Sequence, residues 1–124
     1  MRFRFLFLIT GLAVLLSACN GSDPQITPAK DKLTFLFFYT DGWNPWANMA
    51  SVVNGLENVY IDQVDFRRID ANSQEGKDVF DTYGLRGHPS YVLINPGGLV
   101  LWKGLGEQPE EKLIQVIQEV LSDF

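Results

Sequence analysis

The hydrophobic pattern of the chain predicts a buried strand followed by an amphipathic helix. Residues Leu33–Tyr39 form a nearly continuous apolar and aromatic run, which is typical of a strand covered on both faces. Asn44 and Pro45 then supply a capping residue and a proline at the first helical position. The apolar residues behind this start recur at helical spacing, namely Trp46, Met49, Ala50, Val53 and Leu56.

The rest of the pattern predicts three more strands and two more helices. In order, they are a strand at Val64–Ile69, a helix at Gln74–Tyr83, strands at Ser90–Ile94 and Leu99–Lys103, and a helix that opens at Pro109. Gly84 is the expected stop of the second helix, and residues 95–98 have the composition of a hairpin turn. A right-handed crossover makes the first two strands parallel, so we expect an α/β fold with a mixed sheet and helices on its faces.

The N-terminal segment has a different composition. Arg2 and Arg4 precede an apolar run that ends at Leu16, which is too short to cross a bilayer comfortably and favours a cleaved signal peptide. The run ends in Leu16-Ser17-Ala18-Cys19, which resembles the lipobox of bacterial lipoproteins. In that family the cysteine receives a lipid and the signal is cut just before it. An ordinary signal peptide with a chance cysteine, or a buried apolar helix, is the alternative.

The lipobox resemblance implies a division of the chain into three parts. Residues 1–18 are the lipoprotein signal peptide, residues 19–31 are the lipidated Cys19 and a flexible polar tether, and residues 32–124 are the folded domain. Several acyl chains on Cys19 make a lasting anchor. We therefore expect a cell-envelope protein, held on a membrane by lipid and facing outside the cytoplasm, in the periplasm or on the cell surface. Asn20, rather than aspartate, after the cysteine favours an outer-membrane or surface destination.

Composition limits the chemistry that the chain can perform. It has 124 residues with 10 Lys and Arg against 15 Asp and Glu, a net charge of −5. Without Arg2 and Arg4 the mature chain has 8 bases against 15 acids, or −7, which disfavours binding to nucleic acid. One cysteine rules out an internal disulfide, a dithiol active site and a cysteine-rich zinc site, and one histidine leaves no histidine cluster. We predict no metal and no cofactor.

One segment resembles thioredoxin. Residues 83–90 read Tyr-Gly-Leu-Arg-Gly-His-Pro-Ser, which is similar to the Tyr-Gly-Ile-Arg-Gly-Ile-Pro-Thr stretch that leads into a core strand of that family. The resemblance extends over residues 33–124 in matching element order, with Gly104 as the glycine after the final strand, and lacks the family's first strand and helix. It implies a minimal thioredoxin-like fold, a four-stranded mixed sheet flanked by three helices with the strand at Leu33 near its centre. It also implies that Pro89 is cis, the alternative being a trans proline that starts a strand.

The family's active-site motif, Trp-Cys-Gly-Pro-Cys, falls on the junction between the first strand and its helix. Aligned on Pro45, both redox cysteines are replaced by tryptophan, at Trp43 and Trp46, and the family's buried aspartate falls on Phe37. Dithiol exchange needs an attacking thiolate and a second thiol to resolve the mixed disulfide. The resemblance therefore implies the shape of the site without its chemistry, and we predict no catalytic residue.

A binding groove is the use that this shape retains. In the family, an extended peptide pairs with the backbone before the cis proline, which needs no reactive side chain. The candidate groove residues are Trp43, Asn44, Pro45, Trp46, His88 and Pro89. The alternatives are that Trp43 covers the core, that Trp46 belongs to the core and that His88 is an ordinary loop histidine. The neighbouring acid pairs, Asp62 with Asp65 and Glu110 with Glu111, are interpreted as solvated charges.

Three functions are compatible with these observations. The favoured one is a membrane-anchored, extracytoplasmic thioredoxin-like domain without redox cysteines that binds a protein or peptide partner. The alternatives are a thiol–disulfide oxidoreductase, as the fold alone would suggest, and a structural envelope lipoprotein whose groove is unused. Fold by itself does not choose among them.

Overall fold

The structure is a computed structural model that describes residues 26–42 and 44–124. Over this part of the chain the elements are β1 (Leu33–Tyr39), α1 (Asn44–Tyr60), β2 (Val64–Asp70), α2 (Gln74–Thr82), β3 (Ser90–Ile94), β4 (Val100–Leu105) and α3 (Glu110–Ser122). The bounds of β1 and β3 are those predicted. Gly84, with φ of 64°, follows the end of α2.

The four strands form one mixed sheet in the order β2-β1-β3-β4. Strand β1 pairs in parallel with β2, from Leu33 opposite Val64 to Tyr39 opposite Asp70. It pairs antiparallel with β3, and β3 pairs antiparallel with β4. The predicted α/β fold, with β1 near the centre of a four-stranded sheet and three helices on its faces, is confirmed.

Alternate residues of β1 belong to two separate parts of the core, one on each face of the sheet. Leu33, Phe35 and Phe37 pack on the face covered by α1 and α3, whereas Leu36 and Phe38 pack on the face covered by α2. All five are fully buried, because side chains alternate across a strand and each face of this strand has a helical layer over it. This explains why β1 has a continuous apolar sequence rather than an alternating one.

Strand β4 begins and ends later than the sequence pattern predicts. Leu99, predicted to start the strand, belongs to the turn: its N–H donates to the Asn95 side-chain oxygen at 2.9 Å, and its carbonyl accepts from the Asn95 N–H at 3.0 Å. The pairing register also shifts between Leu93 and Ile94. At its other end the strand runs on to Leu105, which pairs with Ser90.

Gly104 lies inside β4, opposite Tyr91, and the expectation that it follows the final strand is wrong. The glycine after the strand is Gly106, whose N–H donates to the Pro89 carbonyl at 2.8 Å. Gly104 is instead required by packing. A Cβ atom there would lie 2.3 Å from the Trp102 indole, so only glycine lets that ring lie against the strand.

The described part of the predicted tether, residues 26–31, packs on the α2 face of the sheet. Ile26 is half-buried against the cluster that contains Leu36. The Arg67 Nη1 atom donates to the Thr27 carbonyl at 2.6 Å, and the Ala29 N–H donates to a side-chain oxygen of β1 at 2.9 Å. The division of the chain at residue 32 stays a prediction, but this segment makes defined contacts with the domain.

Candidate binding groove

The start of α1, the loop before β3 and the turn after β4 meet at the carboxyl end of β1. Ser90, the first residue of β3, pairs with Phe38 on one side and with Leu105 of β4 on the other. The hydrogen bond from Gly106 to the Pro89 carbonyl fixes the turn after β4 against the loop before β3. The segments that the sequence analysis assigned to the groove therefore lie together, because the pairing of β1, β3 and β4 brings them to the same end of the sheet.

The predicted groove residues on the α1 side are placed only in part. Asn44, Pro45 and Trp46 occupy the first turn of α1, as the capping pattern predicts, but their side chains lie outside the described structure. Trp43 and the predicted lipid attachment site Cys19 lie outside the described residues. The binding roles of both tryptophans therefore stay predictions.

The peptide bond between His88 and Pro89 is cis, as predicted from the thioredoxin resemblance. Pro89 is buried, and His88 is half-buried with its ring centroid 4.8 Å from that of Phe80. The Nδ1 atom of His88 is buried and has no hydrogen-bond partner within the described part of the chain. His88 is thus packed against α2 rather than freely exposed in a loop.

The backbone on either side of His88 is hydrogen-bonded, whereas that of His88 has no partner among the described residues. The Ser90 hydroxyl donates to the Gly87 carbonyl, and the Pro89 carbonyl accepts from Gly106. Among residues 26–42 and 44–124, no hydrogen bond involves the N–H or C=O group of His88. This donor and acceptor pair lies beside the cis proline, where an extended chain can pair with it.

Phe37, at the position of the family's buried acid, packs against a tyrosine of the neighbouring strand. The Phe37 and Tyr91 rings are stacked, with centroids 5.6 Å apart and planes 10° from parallel. Tyr91 is fully buried, and its hydroxyl has no partner within the described structure. Burial raises the pKa of Tyr91 well above its usual value, and the negative charge of Glu107 adds to this. The phenol therefore stays neutral at physiological pH.

The sequence analysis did not single out Tyr91 as part of the site. Tyr91 is the residue with a polar group in the apolar run of β3, and it lies on the same face of the sheet as Phe37. The alternation of side chains along a strand could have indicated this shared face. A further stacked contact, at 6.2 Å, joins Tyr91 to Trp102 of β4. The three aromatic rings form a row across three strands below the groove.

A cleft of about 380 Å³ opens between α1 and the turn that precedes α3. Its lining residues are Asn48, Met49, Val52, Glu107, Gln108, Pro109 and Glu110. The side chains from α1 are mostly apolar and the turn contributes two carboxylates. Helix α1 contributes to both this cleft and the candidate groove, and the cleft enlarges the concave surface near the start of α1.

The other candidate chemistry is not assembled. Asp62, Glu110 and Glu111 are exposed, and Asp65 forms an ion pair with Arg67 at 2.9 Å. Within residues 26–42 and 44–124, no three metal-ligating side chains are grouped to hold an ion. In the same part of the chain, no helix combines the length and hydropathy needed to span a membrane.

Comparison with known proteins gives one relevant sequence match. No family model matches the chain. Thioredoxin-T of Drosophila melanogaster is 28% identical over 102 residues, a match that covers 82% of this chain and 64% of that protein. The chain thus spans less than two thirds of this relative's length.

Solved structures give a stronger signal. The germline-specific thioredoxin Deadhead of Drosophila melanogaster matches with a TM-score of 0.64 and 27% identity, over 72% of this chain and 81% of that chain. A chain of the complex between ferredoxin:thioredoxin reductase and thioredoxin f2 matches with a TM-score of 0.64 and 26% identity, over 73% and 78%. Thioredoxin of Fasciola hepatica, at 23% identity and a TM-score of 0.64 over 73% and 82%, shows the fold alone. The domain has the thioredoxin-like fold.

Two backbone features of the site stand where the resemblance places them, namely the cis Pro89 loop and the helix start at Asn44. The replacement of the redox cysteines by Trp43 and Trp46 stays a prediction from the alignment on Pro45, and the single cysteine of the sequence is Cys19.

Proposed function

We propose that this chain is a membrane-anchored thioredoxin-like domain outside the cytoplasm that binds a protein or peptide without catalysing thiol–disulfide exchange. The observation that carries this proposal is the single cysteine, which stands in the lipobox rather than at the groove. Dithiol exchange needs two thiols at the site. A lipid on Cys19 removes the last free thiol.

The backbone of His88, which has no hydrogen-bond partner among the described residues, supports a binding role. Its N–H and C=O groups lie beside the cis Pro89, where β1 and β4 end and β3 begins. Strand addition uses backbone hydrogen bonds for affinity and side-chain pockets for specificity. The cleft beside α1 supplies further apolar contact area, and its residue Glu107 directly follows Gly106, whose N–H donates to the Pro89 carbonyl.

The replacements around the motif also support loss of catalysis with retention of binding. Indole rings at positions 43 and 46 provide the large, amphipathic contacts that are enriched at binding hot spots. Phe37, stacked on Tyr91, places a hydrocarbon ring where the family has a proton-transferring carboxylate. The groove therefore lacks both the redox thiols and the buried carboxylate that the family motif has.

The lipid anchor would hold the domain close to the membrane. Ile26 packs on the α2 face, so only residues 20–25 separate its fixed position from Cys19. A fully extended chain of this length reaches about 25 Å. The partner is therefore expected at the membrane surface, or no farther from it than the extended tether plus the diameter of this domain.

A thiol–disulfide oxidoreductase is the second candidate, because the matched relatives are thioredoxins. The full-length protein in detergent micelles separates the two when its reduction of insulin by dithiothreitol is followed by turbidity. We expect the rate of the buffer blank, for the wild type and for Cys19→Ser alike. A rate clearly above the blank would overturn the non-catalytic proposal.

Binding is tested by crosslinking the intact lipoprotein in its native envelope and identifying the captured proteins. Trp43→Ala should lose partners that the wild type captures. Ile61→Ala is the matched control, since Ile61 is an exposed apolar residue just after the far end of α1. If Trp43→Ala captures the same proteins as both the wild type and the control, the structural-lipoprotein alternative is favoured.

A further inference from the structure

A second cleft lies on the α2 side of the cis-proline loop, away from α1. It has a volume of about 190 Å³ and is lined by Gly84, Leu85, Arg86, Ser90, Lys103, Gly104 and Leu105. Strand β4 forms one wall and the segment after α2 forms the other. Lys103 links the walls, because its Nζ atom donates to the Tyr83 carbonyl at 3.0 Å.

The cleft is basic in an acidic protein. Its lining includes Arg86 and Lys103 and no carboxylate, although the mature chain has a net charge of −7 from 8 bases and 15 acids. Arg86 is exposed and has no ion pair within the described structure. Lys103 is exposed and bonded only to a neutral carbonyl, so neither charge is neutralised by its surroundings.

The same surface also carries apolar side chains. On β4, Leu105 stands two residues beyond Lys103, and the Leu105 side chain is 55% exposed. Leu85 adds a half-buried apolar side chain from the opposite wall. A neighbour therefore meets two basic side chains, Arg86 and Lys103, with the apolar Leu85 and Leu105 beside them.

Strand β4 is an edge of the described sheet. An edge strand presents a row of unpaired N–H and C=O groups that can pair with another extended chain. Pairing with a second copy of β4 is disfavoured, because an antiparallel pair centred on Lys103 would place like charges opposite each other. A strand with carboxylates at the facing positions neutralises Lys103 and Arg86 instead.

We propose that β4 and the segment 84–86 bind an extended segment of a partner protein whose side chains on one face, at every second position, include both carboxylates and apolar groups. The segment adds to the sheet beyond β4, with its carboxylates on Arg86 and Lys103 and its apolar residues on Leu85 and Leu105. This site is made entirely of described residues. Its residues are different from those of the candidate groove that includes Trp43.

The probe is a displayed library of random peptides of about twelve residues, which is enough to span the strand. Selection on the full-length protein in detergent should enrich sequences in which positions two residues apart carry an acidic and an apolar side chain. The affinity of one enriched peptide is then measured by fluorescence anisotropy. Arg86→Glu should weaken binding about tenfold, whereas Lys112→Glu, a matched charge reversal on α3, should stay within about twofold.

Leu105→Ala is the second variant, because it removes apolar area without changing charge. It should also weaken the enriched peptide, while Trp43→Ala should not. Enrichment without acidic residues, or equal effects of Arg86→Glu and Lys112→Glu, would overturn the proposal. The role of Lys103 would then be to prevent another strand from pairing with the edge strand β4. Self-association that Arg86→Glu abolishes would assign the edge to a second copy and overturn the proposal as well.

Discussion

The Phe37 ring stacks on the Tyr91 ring across the pairing of β1 and β3, with centroids 5.6 Å apart. Both residues are fully buried. The family resemblance places a proton-transferring carboxylate at residue 37, so this contact replaces a polar, titrating group by hydrocarbon packing. At this position the interior beneath the groove is an aromatic stack rather than a titrating carboxylate.

Phe37→Ala should reduce the free energy of unfolding by about 3–5 kcal/mol, because it deletes a buried ring and leaves a cavity beside Tyr91. Urea denaturation of the full-length protein measures the loss. Phe124→Ala is the matched control: that ring is 59% exposed, and its removal should cost about 0.5 kcal/mol or less. A loss below about 1 kcal/mol at Phe37 would show that the ring is not central to the core.

Tyr91→Phe should stabilise the domain by about 1 kcal/mol, because it removes a buried hydroxyl that has no partner in the described structure and keeps the stacked ring. The substitution should also change the pH dependence. Burial raises the pKa of Tyr91 in the folded state, so above pH of about 10 only the unfolded chain loses this proton. The stability of the wild type should therefore fall as pH rises above about 10, and part of this fall should be absent in Tyr91→Phe.

The measurement is urea denaturation at a series of pH values from neutral to strongly alkaline. Tyr60→Phe, in the same core cluster, controls for loss of a tyrosine hydroxyl elsewhere. Identical alkaline slopes for the wild type and Tyr91→Phe would contradict the assignment of the alkaline fall to Tyr91.

Ile26→Asp should destabilise the domain by about 1–2 kcal/mol, because it places a charge at a half-buried site against the Leu36 cluster. Thr27→Asp adds the same charge one residue along, where the side chain is exposed and only the carbonyl is bound. It should be close to neutral. Equal stabilities of the two variants, measured by urea denaturation, would mean that residues 26–31 are a free tether after all.

Trp43→Cys combined with Trp46→Cys should recreate a Cys-Asn-Pro-Cys motif at the start of α1. The first thiol would stand before the positive end of the helix, which favours its thiolate, and the pair can bridge if the Cα atoms lie within about 7 Å. Reduction of insulin should be slow, because Phe37 and Tyr91 offer no proton acceptor. The single variant Trp43→Cys controls for a lone thiol. A folded double variant that never forms an intramolecular disulfide would contradict the family geometry of this loop.

Cys19→Ser should leave uncleaved precursor and abolish labelling by radioactive fatty acid, since the thioether to the lipid cannot form. Ser22→Ala, just beyond the cysteine, should be processed and labelled as the wild type is. Labelled, mature Cys19→Ser protein would remove the basis for the lipid anchor and for the extracytoplasmic location.

The sequence by itself determined the order of the elements and the chemistry that is excluded. Seven consecutive positions from Leu33 to Tyr39 are apolar apart from Thr34, so β1 had to be a strand covered on both faces. Gly84 marks the end of α2, and one cysteine excludes a dithiol wherever it lies. These features follow from neighbouring residues or from a count, and need no knowledge of the chain's path.

Only the tertiary structure decided which distant residues touch. The pairing of β4 with β3 places Gly104 inside the strand, opposite Tyr91 and against the Trp102 ring. The stack of Phe37 on Tyr91, the packing of His88 on Phe80 and the docking of Ile26 each join residues that are far apart in sequence. Strand register and cross-strand packing are set by the fit of the whole core, and a periodic apolar pattern specifies only which face a residue takes, not its neighbour on that face.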